Sequence, residues 1–213
     1  MRTKPHETAA PLRTATEGRL EIAHGGARLT LTSQAGTTEL YRARFEGTTP
    51  MVLAHVGRVT IEYPRLSPAE WLRTHRRAAE ITLNHSLPWT LVFGGGVSGL
   101  RADLRRLTLV SFEIGGGASD IEILLPEPLG LVNVRVAGGA SNVNMCRPAG
   151  SPVRAHISSG ASKLTFDEQR LGAVGGEAQL ATPGAEQAGD RYEIEIEGGA
   201  SDLTVGEHDG GDA

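Results

Sequence analysis

One short phrase returns along this chain and constrains its folding more than any other feature. It reads Gly95-Gly96-Val97-Ser98, then Gly116-Gly117-Ala118-Ser119, then Gly138-Gly139-Ala140-Ser141. A fourth copy, Ser159-Gly160-Ala161-Ser162, puts serine in the first place, and a fifth is Gly198-Gly199-Ala200-Ser201. The spacings from serine to serine are 21, 22, 21 and 39 residues, the last close to two periods. A unit of about 20 residues cannot bury an apolar face alone, so units of this period stack.

Between the corners the pattern has period two. Phe112 and Ile114 precede one corner, and Ile121 and Ile123 follow it. Val132, Val134 and Val136 lead to the next, with Val143 and Met145 after it. Such alternation gives strands that bury one face each. The corner glycines are expected to supply positive φ and to let stacked backbones approach closely. The serine hydroxyls are expected to bond nearby backbone or the equivalent serine one rung away, placing Ser98, Ser119, Ser141 and Ser162 in a ladder. The repeat residues Gly95, Gly96, Ser98, Gly116, Gly117, Ser119, Gly138, Gly139, Ser141, Gly160, Ser162, Gly198, Gly199 and Ser201 are therefore assigned a structural role in the turns. A degenerate first copy follows Gly25-Gly26, with Ala27-Arg28 where later copies have Ala-Ser. The segment 172–189 is expected to hold one diverged rung and a surface loop.

One stretch breaks the pattern. Ser67-Pro68-Ala69-Glu70 has a cap serine, proline at the first helical position and glutamate at the third. Trp71, Leu72, His75 and Ala79 then share one face at helical spacing, which predicts a single helix over about 68–80. The fold class expected is all-β, a solenoid-like stack of short strands plus that one helix. Residues 1–17 read as a disordered tail, 18–206 as one β-repeat domain with the helical insertion at 67–80, and 207–213 as an acidic disordered tail.

Composition limits the function. A net charge of -4 argues against nucleic acid as a partner, since phosphate binding needs a basic surface. Cys146 is the only cysteine, so no intramolecular disulfide forms, which fits a reducing compartment. No apolar run of about 18 residues is present, so no helical membrane span is expected, and a cytoplasmic location is. The triple glycines at 94–96 and 115–117 lack the Gly-Lys-Ser/Thr of a phosphate loop, and no nucleophile elbow surrounds Ser98. The histidines are scattered singly. Glu113, Asp120, Glu193, Glu195, Glu197 and Asp202 alternate with apolar residues. They read as a solvated strand face, against the sharper reading of a carboxylate row for Ca²⁺ or glycoside chemistry, which Asn142 and Lys163 interrupt. No catalytic, metal-binding or cofactor-binding residue is assigned, and no cofactor is expected.

The residues from Ile81-Thr82-Leu83-Asn84 and Leu87-Pro88-Trp89 through the glycine corners to Val205, with Glu39 to Gly47 and Val56 to Tyr63 upstream, carry a resemblance. The stretch from Arg19 to Val205 resembles the toastrack domain of bacterial cell-envelope stress proteins of the LiaF and LiaG type, and related adhesin-like β-repeat proteins. It looks like a stand-alone, actinobacterial-like member. The resemblance implies a non-enzymatic interaction or scaffold module, linked to the envelope stress response. Alternatives are a self-assembling structural solenoid, through unpaired strands at its ends, and a carbohydrate-active β-helix enzyme. The expected partner is a protein, with homo-oligomers through the solenoid ends.

Overall fold

The alternation closes into two sheets facing each other across one core. The computed structural model describes residues 5–64 and 78–209. In chain order its strands are β1 (His6–Pro11), β2 (Gly18–Ala23), β3 (Gly26–Gln34), β4 (Glu39–Glu46), β5 (Met51–His55), β6 (Arg58–Glu62) and β7 (Ala78–Asn84). Then come β8 (Pro88–Phe93), β9 (Val97–Asp103), β10 (Thr108–Ile114), β11 (Ala118–Leu124), β12 (Leu131–Val136) and β13 (Ala140–Pro148). The last are β14 (Val153–Ile157), β15 (Ala161–Phe166), β16 (Gln169–Val174), β17 (Ala178–Ala181), β18 (Arg191–Ile196) and β19 (Ala200–His208). The first sheet runs β1-β4-β7-β3-β9-β11-β13-β19-β15-β16, and the second β17-β14-β18-β12-β10-β8-β2-β6-β5. The fold is an all-β, solenoid-like stack.

Each rung pairs a strand of the second sheet with the following strand of the first. Rungs are joined in parallel, in the order β6/β7, β2/β3, β8/β9, β10/β11, β12/β13, β18/β19, β14/β15. The order departs from the sequence at both ends. The first rung lies inside the second, and the last rung is wedged between β12/β13 and β14/β15. An antiparallel rung closes each end: β4 and β5 beyond β7 and β6, and β16 and β17 beyond β15 and β14. This explains the 39-residue interval. It holds the reversed rung β16/β17 and a loop, as expected for 172–189, and the rung after it returns to the interior.

The inner faces carry the aliphatic residues read from the pattern. Leu20, Leu91, Phe112, Val134 and Ile194 of one sheet, and Leu31, Leu100, Ile123, Val143 and Leu203 of the other, are buried. Each such side chain contributes about 1.5–3 kcal/mol by leaving water. Trp89 is fully buried against Gly18, where a Cβ would stand 2.5 Å from the indole, and its Nε1 donates to the Asn84 carbonyl at 2.7 Å.

Three expectations change. The segment 1–17 is not wholly a tail, because His6–Pro11 pair antiparallel with β4 as the edge of the first sheet. The helix expected over 68–80 lies outside the described residues up to residue 77. Its last positions, Ala78–Glu80, are strand instead, with Ala79 and Glu80 paired in parallel with β3, and the described residues contain no helix. The C-terminal tail begins later than residue 207, since Glu207 and His208 extend β19 beside Arg147 and Pro148.

Candidate functional site

The corner residues singled out by the repeat come together as columns. In register across the first sheet stand Ser98, Ser119, Ser141, Ser201 and Ser162, so Ser201 enters the ladder between Ser141 and Ser162. In the degenerate copy the match shifts by one position. Ala27 pairs with Ser98, and Arg28 takes the place that follows the serine. Among the described residues no hydrogen bond joins the serine hydroxyls. The ladder is carried by backbone: Val97 N donates to Gly117 O, Ala118 N to Gly139 O, Ala140 N to Gly199 O and Ala200 N to Gly160 O, at 2.9–3.0 Å.

The reason for glycine is close approach. A Cβ on Gly116 would lie 2.7 Å from the Gly96 nitrogen, and one on Gly198 would lie 2.5 Å from that of Gly139. The paired glycines of the four Gly-Gly copies do not use positive φ. That conformation falls on the residue after each serine: Arg28, Gly99, Asp120, Asn142, Lys163 and Asp202, with φ between 50° and 70°. Asn and Asp tolerate it best among residues with a side chain. Every strand of the column carries this left-handed kink at the same place, so the register is kept, and its side chains pair across rungs. Asn142 Nδ2 donates to Asp120 Oδ1 at 2.8 Å, and Lys163 lies 3.7 Å from Asp202. The acidic positions read as a solvated strand face therefore separate, with Asp120 and Asp202 in this column and Glu113, Glu193, Glu195 and Glu197 on or beside the second sheet.

The outer face of the second sheet holds the more promising feature. A cleft of about 650 Å³ crosses β12, β18, β14 and β17, lined by Asn133, Arg135, Arg154, His156, Gln179, Glu186, Glu193 and Glu195 among others. Period-two alternation puts these polar side chains outward, and parallel register aligns them: Arg135, Glu195 and His156 in one row, Asn133, Glu193 and Arg154 in the next. The cations are already engaged. Arg135 bonds Glu113 at 2.7 Å and Glu197, and those two carboxylates hold its guanidinium above the ordinary range. Glu193 accepts from Arg154 and Arg191 at 3.3 and 3.0 Å. His156 Nε2 stands 2.9 Å from Glu177, an ion-pair distance without hydrogen-bond alignment. Among the described residues the side chains of Glu186 and Glu195 have no ion-pair or hydrogen-bond partner.

The chemistry of these groups is limited. His24 faces Glu62, His156 faces Glu177, and His208 Nε2 lies 2.9 Å from the Leu125 carbonyl, so none of these pairs includes a ladder serine. Cys146 is half-buried on the first sheet, and burial raises its thiol above the usual value. Among the described residues no group of three or more His, Cys, Asp or Glu side chains could hold a metal ion. The described residues include no helix long and apolar enough to cross a membrane.

The sequence reading missed two buried polar residues. Asn84 is 2% exposed and donates through Nδ2 to the carbonyls of Thr37 and Glu39, while its Oδ1 accepts from Ser86. Arg147 is 1% exposed and donates to Asp167, Glu207 and the carbonyls of Ser151 and Gly206. The Cys146-Arg147-Pro148 context gives no local signal of burial, because the partners Asp167 and Glu207 lie 20 and 60 residues away.

A parallel two-sheet stack with glycine corners and reversed rungs at both ends defines a class of β-repeat module. A family model described as the N-terminal domain of toast_rack, DUF2154, matches residues 2–146, and the chain belongs to that family. No curated protein matches it by sequence. Among solved structures it is similar to a candidate cell adhesion protein from Clostridium sporogenes, at 18% identity and a TM-score of 0.71, covering 96% of this chain and 99% of that one. That likeness shows the fold. A candidate adhesin from Bacteroides fragilis is matched at 9% identity over 97% of this chain and 98% of that one, but with a TM-score of 0.32 it carries no argument.

Proposed function

We propose that this domain is a non-catalytic protein-interaction module that docks its partner on the outer face of the second sheet. The observation that carries the reading is the cleft. Its arginines are satisfied within the chain, whereas Glu186 and Glu195 are left without partners beside it. A protein partner offering lysine or arginine there completes the charge pattern. The rigid, hydrogen-bonded rungs beneath keep the face pre-organised, which lowers the entropy cost of docking. Family membership and the resemblance support a place in the cell-envelope stress response, and the lone Cys146 fits a cytoplasmic setting.

The test is site-specific photo-crosslinking in cells, with the probe at Gln179 or Glu195, and at Glu122 on the other sheet as the control. A protein adduct from the cleft positions alone supports the reading, as does its loss in a Glu186→Arg, Glu195→Arg variant. Equal adducts from both faces, or none from the cleft, would remove it. Cell fractionation of the same strain checks the compartment, and its envelope-stress reporter checks the pathway.

A further inference from the structure

Four strands end the two sheets, and they are not alike. The first sheet ends in β1, which carries Glu7 and Pro11, and in β16, which carries Arg170 and Gly172. Charges, proline and glycine are the usual devices that discourage a further strand. The second sheet ends in β17, which has only four residues, and the loop after it tucks Ala185 into the interior at 1% exposure. At its other end is β5, Met51-Val52-Leu53-Ala54-His55. This edge has no proline, glycine, acid, lysine or arginine. It also exposes apolar side chains: Met51 at 54% and Leu53 at 58%, with Val56 beside it at 51%.

From this contrast we infer that β5 is an interface for a second copy of the same chain, pairing antiparallel with its equivalent across a two-fold axis at Leu53. Register supports the self-match. On β6, Glu62 lies opposite Met51 and Arg58 opposite His55. A two-fold centred on Leu53 sets Met51 against the second copy's His55. The two outermost four-residue rows then each begin with Glu62 of one copy and end with Arg58 of the other, so no like charges meet across the seam. Continuation into a rod is disfavoured, because a head-to-tail stack would have to pair β1 with β16, the two blocked edges. A two-fold contact closes on itself and stops at the dimer. One five-residue strand pair is a small interface, so the dimer is weak, with a dissociation constant on the order of tens of micromolar.

The experiment is sedimentation equilibrium of the full chain across the micromolar range, with Leu53→Lys as the disrupting variant. The expected result is a monomer–dimer equilibrium, weakened at least tenfold by Leu53→Lys. The thermal midpoint measured at low concentration should stay unchanged, because the side chain is exposed. A second variant, Leu53→Cys in a Cys146→Ser background, supplies a positive readout. Residues directly opposite across an antiparallel pair have Cβ atoms about 4.5–5.5 Å apart, so mild oxidation should trap a covalent dimer. A wild-type chain that stays monomeric, association indifferent to Leu53→Lys, growth past the dimer, or no covalent dimer would each overturn the inference. If a deletion of residues 65–77 is needed before dimers form, that segment is the occupant of the edge and the second copy is not.

Discussion

At the N-terminal end of the stack the buried clamp is an amide, and at the C-terminal end it is a guanidinium. Asn84 closes the end of β7 by bonding the carbonyls of the β3–β4 turn. Arg147 closes the end of β13 by tying together the 148–151 turn, the β15–β16 turn and the end of β19. Each end also has an aromatic ring held by its polar tip: Trp89 donates to the Asn84 carbonyl, and Tyr192 donates to that of Pro126 at 2.6 Å. The amide satisfies its neighbours without bringing charge into the interior. The guanidinium reaches more partners, and it is the group that pairs the Asp167 carboxylate, while Glu207 is shared between it and the Gly150 N–H. Similar closures are thus reached with unequal sensitivities to losing one group.

The largest expected effect comes from breaking the charged clamp. Arg147→Met leaves two carboxylates and two carbonyls beside an apolar side chain and should cost about 3–5 kcal/mol. Chemical denaturation measures that loss, and hydrogen exchange should show it concentrated in β13, β15 and β19. Exchange rising evenly over both ends would mean that the clamp is not local. Asn84→Ala should cost about 2 kcal/mol, since the groups it orphans, two carbonyls and the Ser86 N–H and hydroxyl, are all neutral, with exchange rising in β3, β4 and β7. A cost equal to that of Arg147→Met would erase the distinction drawn between the ends.

Tyr192→Phe isolates one hydrogen bond. Burial pushes this phenol above its ordinary range, so the hydroxyl stays protonated and donating at neutral pH. Its removal should cost about 1 kcal/mol by thermal unfolding, and the cost should be flat from pH 5 to 9.

The smallest effect is a control from the middle of the stack. Arg105 bonds Asp103 at 3.0 and 2.8 Å and holds its carboxyl below the usual value. A depressed folded value means stabilisation that is present above the unfolded value of about 3.9 and is lost as pH falls through the folded one. Asp103→Asn should therefore cost less than about 1 kcal/mol at pH 7, since the pair is partly exposed. The difference from wild type should vanish under acid, read by urea titrations across that range.

How much of this was legible follows from the range of each signal. Alternation at Phe112-x-Ile114 and Val132-x-Val134-x-Val136 fixes strands and their inner faces, because burial is set within a strand. The corners were legible for a related reason: a backbone that approaches its neighbour at Gly116 or Gly198 leaves no choice of residue. The order of rungs was not. Ala161-Ser162 and Ala200-Ser201 are equivalent in pattern, and nothing local says which lies against β13. The cleft likewise needs β17 and the 182–190 loop brought to the same sheet face as β12, about fifty residues away in sequence and with β14 and β18 between them, a placement that alternation does not encode. The helix signal at 67–70 was strong locally, yet Ala78–Glu80 went to the sheet, where pairing with β3 outweighs the propensity of one turn.

The wedged last rung bears on how the chain is made. Ala140 waits for Ala200 as its neighbour, sixty residues later. By then β14 and β15 have left the ribosome, with the same alternation and the same Ala-Ser step, and the free edge of β12 and β13 is the surface they meet first. A pairing this distant in sequence is slow to form, so the free edge of β12 and β13 stays open to the wrong rung until the right one has been made. The correct slot is filled only when β18 and β19 arrive, and Arg147, which then bonds Gly206 and Glu207, ties the end of that rung to its neighbours.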